Sequence, residues 1–269
     1  MKISKTQALV ESAIMIAIGT LLSFIKLVDL PYGGSVTVAS MLPVIIIAYR
    51  HGAGMGLTAG LVYGVIQQLL GLNTLSYVTT WQSIVAVILL DYVMAFLVLG
   101  LGGIFRGRFA KQAPALTLGA AFVCLLRYAC HVISGATVWA GLSIPTKGAL
   151  IYSFAYNATY MLPEAIVLVI VAYYVGSTLD FRTAQPVRLS KSEIGGVNFL
   201  QILAGLVITG AVVADVALVF AKLQNGETGE WNIAGLADVN WLIVGIVTAA
   251  ATVVAAVLFG IGKSRKTKA

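Results

Sequence analysis

Arg127, His131, Gly135 and Trp139 recur every four residues within a stretch apolar enough to span a bilayer. On an α-helix each step of four overshoots a full turn by about 40°, so the row stays on one broad face. Ionisable side chains at membrane depth are costly and face a protein interior or a cavity. A cation, an imidazole, a gap and an indole pack poorly together but suit the wall of a site for a polar aromatic ligand. Asp91, Tyr152, Asn157 and Glu164 lie in neighbouring apolar runs. A lone carboxylate in the membrane either pairs with a buried cation or waits for one. Asp91 beneath an indole suits a flat organic cation, through charge pairing and cation–π attraction.

Plainer readings stand beside these. An Asp91–Arg127 ion pair would only tie helices together, or Arg127 pairs with Glu164 and leaves Asp91 for a ligand. Trp139 alone is an interface anchor. Tyr152, Tyr156 and Tyr160, four apart, suit a helix core as well as a site.

The elements that carry these residues are membrane helices. The chain has 269 residues, of which 59% are hydrophobic and 10% charged, with a mean hydropathy of +0.97. A soluble domain carries roughly 25% charged residues. Apolar runs at 7–26, 36–49, 54–71, 82–105, 115–140, 150–176, 197–221 and 239–262 predict eight spans of an all-α integral membrane protein. The second is short, with Pro31 and Gly33-Gly34 before it. With the N-terminus inside, the outside loops hold only Lys26, Lys147 and Lys222 among the 17 Lys and Arg residues. This positive-inside bias places both termini in the cytoplasm. It also accounts for the net charge of +7 without nucleic acid. The polar stretch near 177–196 predicts a linker between a six-span unit (1–176) and two further spans with a basic tail (197–269).

A rise of about 1.5 Å per residue places Asp91 roughly 13 Å, His131 roughly 12 Å and Arg127 roughly 18 Å below the outer surface, with Glu164 roughly 22 Å down. The polar groups therefore converge on the outer half of the bundle, above a charged floor. Gly135 leaves a gap where a flat ligand could approach the backbone. Cys124 and Cys130, six apart in one run, read as small buried apolar residues. No P-loop, HExxH, GxSxG or Cys/His cluster is present, so nothing supports an enzyme or a metal site.

Four segments in order, PYGGSVTVASMLPVIIIAYRHG (31–52), LLDYVMAF (89–96), LRYACHVISGATVW (126–139) and YSFAYNATYMLPEA (152–165), resemble the thiamine-specific S-component family of energy-coupling factor (ECF) transporters. The resemblance covers about residues 6–176. It implies a six-helix bundle, here with two additional C-terminal transmembrane helices. Such a protein captures thiamine with high affinity on the outer side of a prokaryotic cell membrane. It then docks on a membrane-spanning coupling protein driven by two cytoplasmic ATPases. No cofactor is implied; thiamine is the transported ligand. The resemblance assigns substrate contacts to Asp91, His131, Trp139, Tyr152 and Asn157, with Gly135, Tyr92 and Trp81 as further candidates, and partner docking to Ala13 and Ala17. Relatives that place a tryptophan in the first outer loop have Gly34 as its counterpart here. That absence keeps a different vitamin, or a thiamine precursor, open as the ligand. A structural membrane protein whose polar residues only join helices is the reading from another class.

Overall fold

A computed structural model describes residues 3–30, 34–139, 146–189, 199–223 and 233–267. The remainder of the predicted linker (190–196), and Pro31 and Gly33, lie outside these. The chain is an all-α membrane protein. Seven described helices are long and apolar enough to cross a membrane, and Leu42–His51 is a shorter apolar helix. It divides into two compact units, Met1–Val187 and Arg188–Ala269.

In the first unit, α1 (Lys5–Ser23) starts at Ser4, whose side chain accepts from Gln7 N at 3.1 Å. Only Ala8, Ser12, Gly19 and Ser23 of this helix are buried. The next element differs from expectation. Strands β1 (Lys26–Asp29) and β2 (Ser35–Thr37) pair antiparallel, with Val28 opposite Val36. Helix α2 (Leu42–His51) follows, so the apolar run at 36–49 is part strand and part helix. Ten residues rise only about 15 Å, half the hydrocarbon thickness. Leu42 to Arg50 are all buried, which makes α2 a core element. Pro43 sits in its first turn, where its missing N–H breaks no helical bond.

Helix α3 (Ala53–Leu70) packs along α4 (Trp81–Leu101). The contact is made by glycine. A Cβ at Gly60 would lie 2.5 Å from Phe96 O, and one at Gly64 2.8 Å from Tyr92 O. Small residues at this spacing let two backbones approach closely. Helix α4 is irregular: residues Ile88–Met94 form a π-helical turn and Val98–Leu101 a 3-10 turn. Helices α5 (Gln112–Thr137) and α6 (Lys147–Thr178) pack along their length. The core between these helices centres on Met41, Ile45, Tyr63, Leu99, Leu116 and Leu168.

Buried Arg50 closes the end of the first unit where α1 begins and α6 ends. Its guanidinium donates to the carbonyls of Phe181 (2.7 Å), Thr183 and Ala184 and pairs with Glu11 of α1. His51 Nε2 lies 3.0 Å from the same carboxylate. Gln112 ties the start of α5 to this strap through Phe181 N and the Leu179 carbonyl. Hydrogen bonds from Arg182 hold the Asp180 carboxyl below its usual range.

The second unit comprises α7 (Phe199–Leu223), a 3-10 turn (Ile233–Asp238) and α8 (Trp241–Thr267). Within it Thr248 Oγ1 donates to Asp215 Oδ2 at 2.6 Å.

Candidate functional site

Asp91 occupies the π-helical turn of α4. Such single π turns inside helices are frequent at functional sites. Three donors from α5 and the turn after it converge on the carboxylate. Ser134 Oγ donates to Oδ2 at 2.6 Å and Trp139 Nε1 donates to the same oxygen at 3.2 Å. His131 Nδ1 lies 2.8 Å from Oδ1. An ionised carboxylate only accepts, so this contact places the imidazole hydrogen on Nδ1. In a neutral imidazole Nε2 is then the acceptor, and it is buried without a protein partner.

Deeper in the bundle the second carboxylate has its own cation. Arg127 Nη1 donates to Glu164 Oε2 at 3.0 Å. The guanidinium also lies over the Phe96 ring, 4.5 Å from its centroid. Thr37 of β2 donates to Glu164 Oε1 at 2.9 Å, so this pair joins α5, α6 and the hairpin. The pairing that the sequence leaves open is therefore Arg127–Glu164. The four-residue row divides accordingly: His131 and Trp139 reach Asp91, while Arg127 reaches Glu164.

A cavity of about 690 Å³ lies above and around these groups. That volume is in the range of small-molecule sites. Asp91, Tyr92, Arg127, His131, Gly135, Trp139, Tyr152, Asn157 and Glu164 all line it. Trp81 does not: its side chain is 71% exposed, because it begins α4 on the outward azimuth. Tyr77 lines the cavity. Gly135 lines the cavity, yet its missing side chain admits α6 rather than a ligand. A Cβ there would meet Ser153 Oγ at 2.3 Å.

On α6, Tyr152 and Asn157 reach one cavity despite their separation around the helix, Tyr152 from a position 37% exposed. The Tyr152 and Tyr156 rings stack with centroids 6.2 Å apart. The Asn157 amide is engaged within the protein. Its nitrogen donates to Ser153 O at 2.9 Å, and its oxygen accepts from Tyr160 OH at 2.6 Å. The Tyr160 ring meets His131 edge to face, with centroids 6.2 Å apart. Gly34 lies against that same ring, and a Cβ there would sit 2.6 Å from Tyr160 Cδ1. The space at the glycine is thus already filled by an aromatic from α6. Ala13 and Ala17 are exposed on α1, beside exposed Val10, Ile14 and Ile18.

Sequence reasoning missed Ser134 and Thr37 as parts of this site, and left Tyr160 between core and site. Ser134 follows His131 by three residues, which puts both on one helix face, and that spacing was the available signal. Thr37 carried none, because its reach to Glu164 depends on the hairpin.

Two comparisons bear on this arrangement. The family model described as Thiamine transporter protein (Thia_YuaJ) matches residues 9–181. The thiamine transporter ThiT of Bacillus subtilis (strain 168) is 36% identical over 196 residues, which cover 69% of this chain and 94% of that relative. The match spans every element that lines the cavity, and on it the chain belongs to the thiamine transporter protein family.

Proposed function

We propose that this chain is the thiamine-capturing subunit of an energy-coupling factor transporter in a prokaryotic cell membrane, with both termini in the cytoplasm. One observation carries the choice of ligand. Three carboxylates line the cavity. Asp29 is paired with Lys26, and Glu164 with Arg127. Asp91 is held by a hydroxyl, an indole and an imidazole. No Lys or Arg among the described residues pairs with it, so beside a neutral imidazole its charge is left for the ligand to balance, at a depth where an unbalanced charge is costly.

Thiamine joins a permanently cationic thiazolium to an aminopyrimidine. The thiazolium balances Asp91. The amino group donates to His131 Nε2, the ring nitrogen without a partner within the protein. Trp139 and the α6 tyrosines supply ring faces. The cavity does the work of capture, so no nucleophile or metal is required. Release into the cell then needs a partner. Ala13 and Ala17 form a small-residue patch on an exposed helix, suited to a membrane-spanning coupling protein that carries two cytoplasmic ATPases.

Titration of the detergent-purified chain with thiamine tests the first part. Saturable quenching of tryptophan fluorescence at submicromolar thiamine, without any ATPase, is expected. No quenching and no calorimetric heat would sink it. The coupling is tested in vesicles, where uptake is expected only when coupling protein and ATPases are present. Accumulation by the chain alone would remove that part of the proposal.

A further inference from the structure

We infer that Ser134 is a positioning residue for Asp91, and that it sets the affinity for cationic ligands without touching them. The inference rests on the reading that the cavity takes thiamine.

Ser134 is fully buried and is not among the residues that line the cavity. Its hydroxyl makes the shortest of the three contacts to Asp91, at 2.6 Å, and reaches the carboxylate from the α5 side. Asp91 stands on a π-helical turn set within a longer helix, a local departure from regular α geometry. A carboxylate on such a turn needs an outside restraint to hold its plane. Trp139 is a poor one, since its contact is longer (3.2 Å) and its indole forms part of the cavity wall. His131 has a second role as part of the cavity wall. Ser134 is the donor with no second task.

With Ser134 and Trp139 both on Oδ2, the spare acceptor capacity of Asp91 lies on Oδ1, the oxygen that His131 Nδ1 contacts. The serine thereby fixes which carboxylate edge meets the ligand. Its effect passes through charge, so it should discriminate between a cationic ring and a neutral one.

Ser134→Ala and Ser134→Thr are the variants. Ser134→Ala is expected to weaken thiamine roughly tenfold to a hundredfold, the worth of one hydrogen bond to a charged group. A neutral analogue, with the charged ring nitrogen replaced by carbon, should change by less than about threefold. Ser134→Thr keeps the hydroxyl and should restore thiamine to within about threefold of wild type. A merely structural role would weaken both ligands alike, and that outcome overturns the inference, as does unchanged thiamine affinity in Ser134→Ala. Infrared difference spectra of the ligand-free protein provide a second arm. The carboxylate band assigned with Asp91→Ala should shift in Ser134→Ala, and an unshifted band overturns the inference. This arm decides the role of Ser134 even if wild type binds no thiamine, a result that would remove only the ligand reading.

Discussion

Asp91→Asn is the most informative single change, because every partner of the side chain is known. An amide offers one oxygen and one NH2 group. The Trp139 indole can only donate, so the amide oxygen must stay where Oδ2 is now. Ser134 keeps its bond there as well. The NH2 group then faces His131 Nδ1, which must become an acceptor. The imidazole hydrogen moves to Nε2, so the nitrogen without a partner in the protein turns from acceptor to donor. No hydrogen bond inside the protein is lost, and the melting temperature should change little. Binding should change greatly. The charge that balances the ligand is gone, at about 1.5–3 kcal/mol for a charged hydrogen bond. The ligand amine now meets a donor, leaving a buried group unsatisfied at about 1–3 kcal/mol. Together these weaken thiamine on the order of 10²- to 10⁴-fold. Calorimetric titration measures this directly. The comparison with a 4-oxo analogue is sharper still, since that ring presents an acceptor where thiamine presents an amine. Wild type should prefer thiamine, and Asp91→Asn should lose or reverse the preference. An Asp91→Asn protein that binds within about threefold of wild type, or that keeps the preference for the amine, refutes the reasoning.

Two further outcomes follow from the packing. Arg127→Met strands the buried Glu164 carboxylate and should cost about 3–5 kcal/mol of stability; pairing it with Glu164→Leu should recover most of that in thermal melts, since Thr37 can turn to Ser40 Oγ, 2.8 Å away. Gly60→Ala places a Cβ 2.5 Å from Phe96 O, a backbone atom that cannot swing aside, and should destabilise the first unit by about 1–3 kcal/mol in the same assay.

Much of this was legible in the sequence, and the misses have specific causes. Long apolar runs and the placement of Lys and Arg marked the helices, because the bilayer imposes length and charge rules that few residues escape. The hairpin at Lys26–Thr37 was hidden: four residues of strand make too short an alternation to detect, and the following helix was apolar on all sides. Depth along the helices correctly put His131 near Asp91, but depth has no azimuth. It could not decide whether Arg127 met Asp91 or Glu164, and it let Trp81 seem near the site when it points outward. The π-helical turn left no sign either, since Ile88–Met94 contains neither proline nor glycine. Serine is common in membrane helices, so Ser134 gained meaning only once its partner was seen.

The glycine contact between α3 and α4 has a consequence for how relatives diverge. Gly60 and Gly64 touch carbonyl oxygens of α4, which every amino acid carries. Substitutions along that side of α4 therefore need no matching change on α3. The two helices should show little pairwise covariation across many sequences, although they are close neighbours. The glycines themselves should hardly vary. The opposite pattern should mark Asp91 and Ser134, whose contact is made by side chains alone. Drift in the lipid-facing residues of α4 can thus proceed while the helix bearing Asp91 keeps its seat.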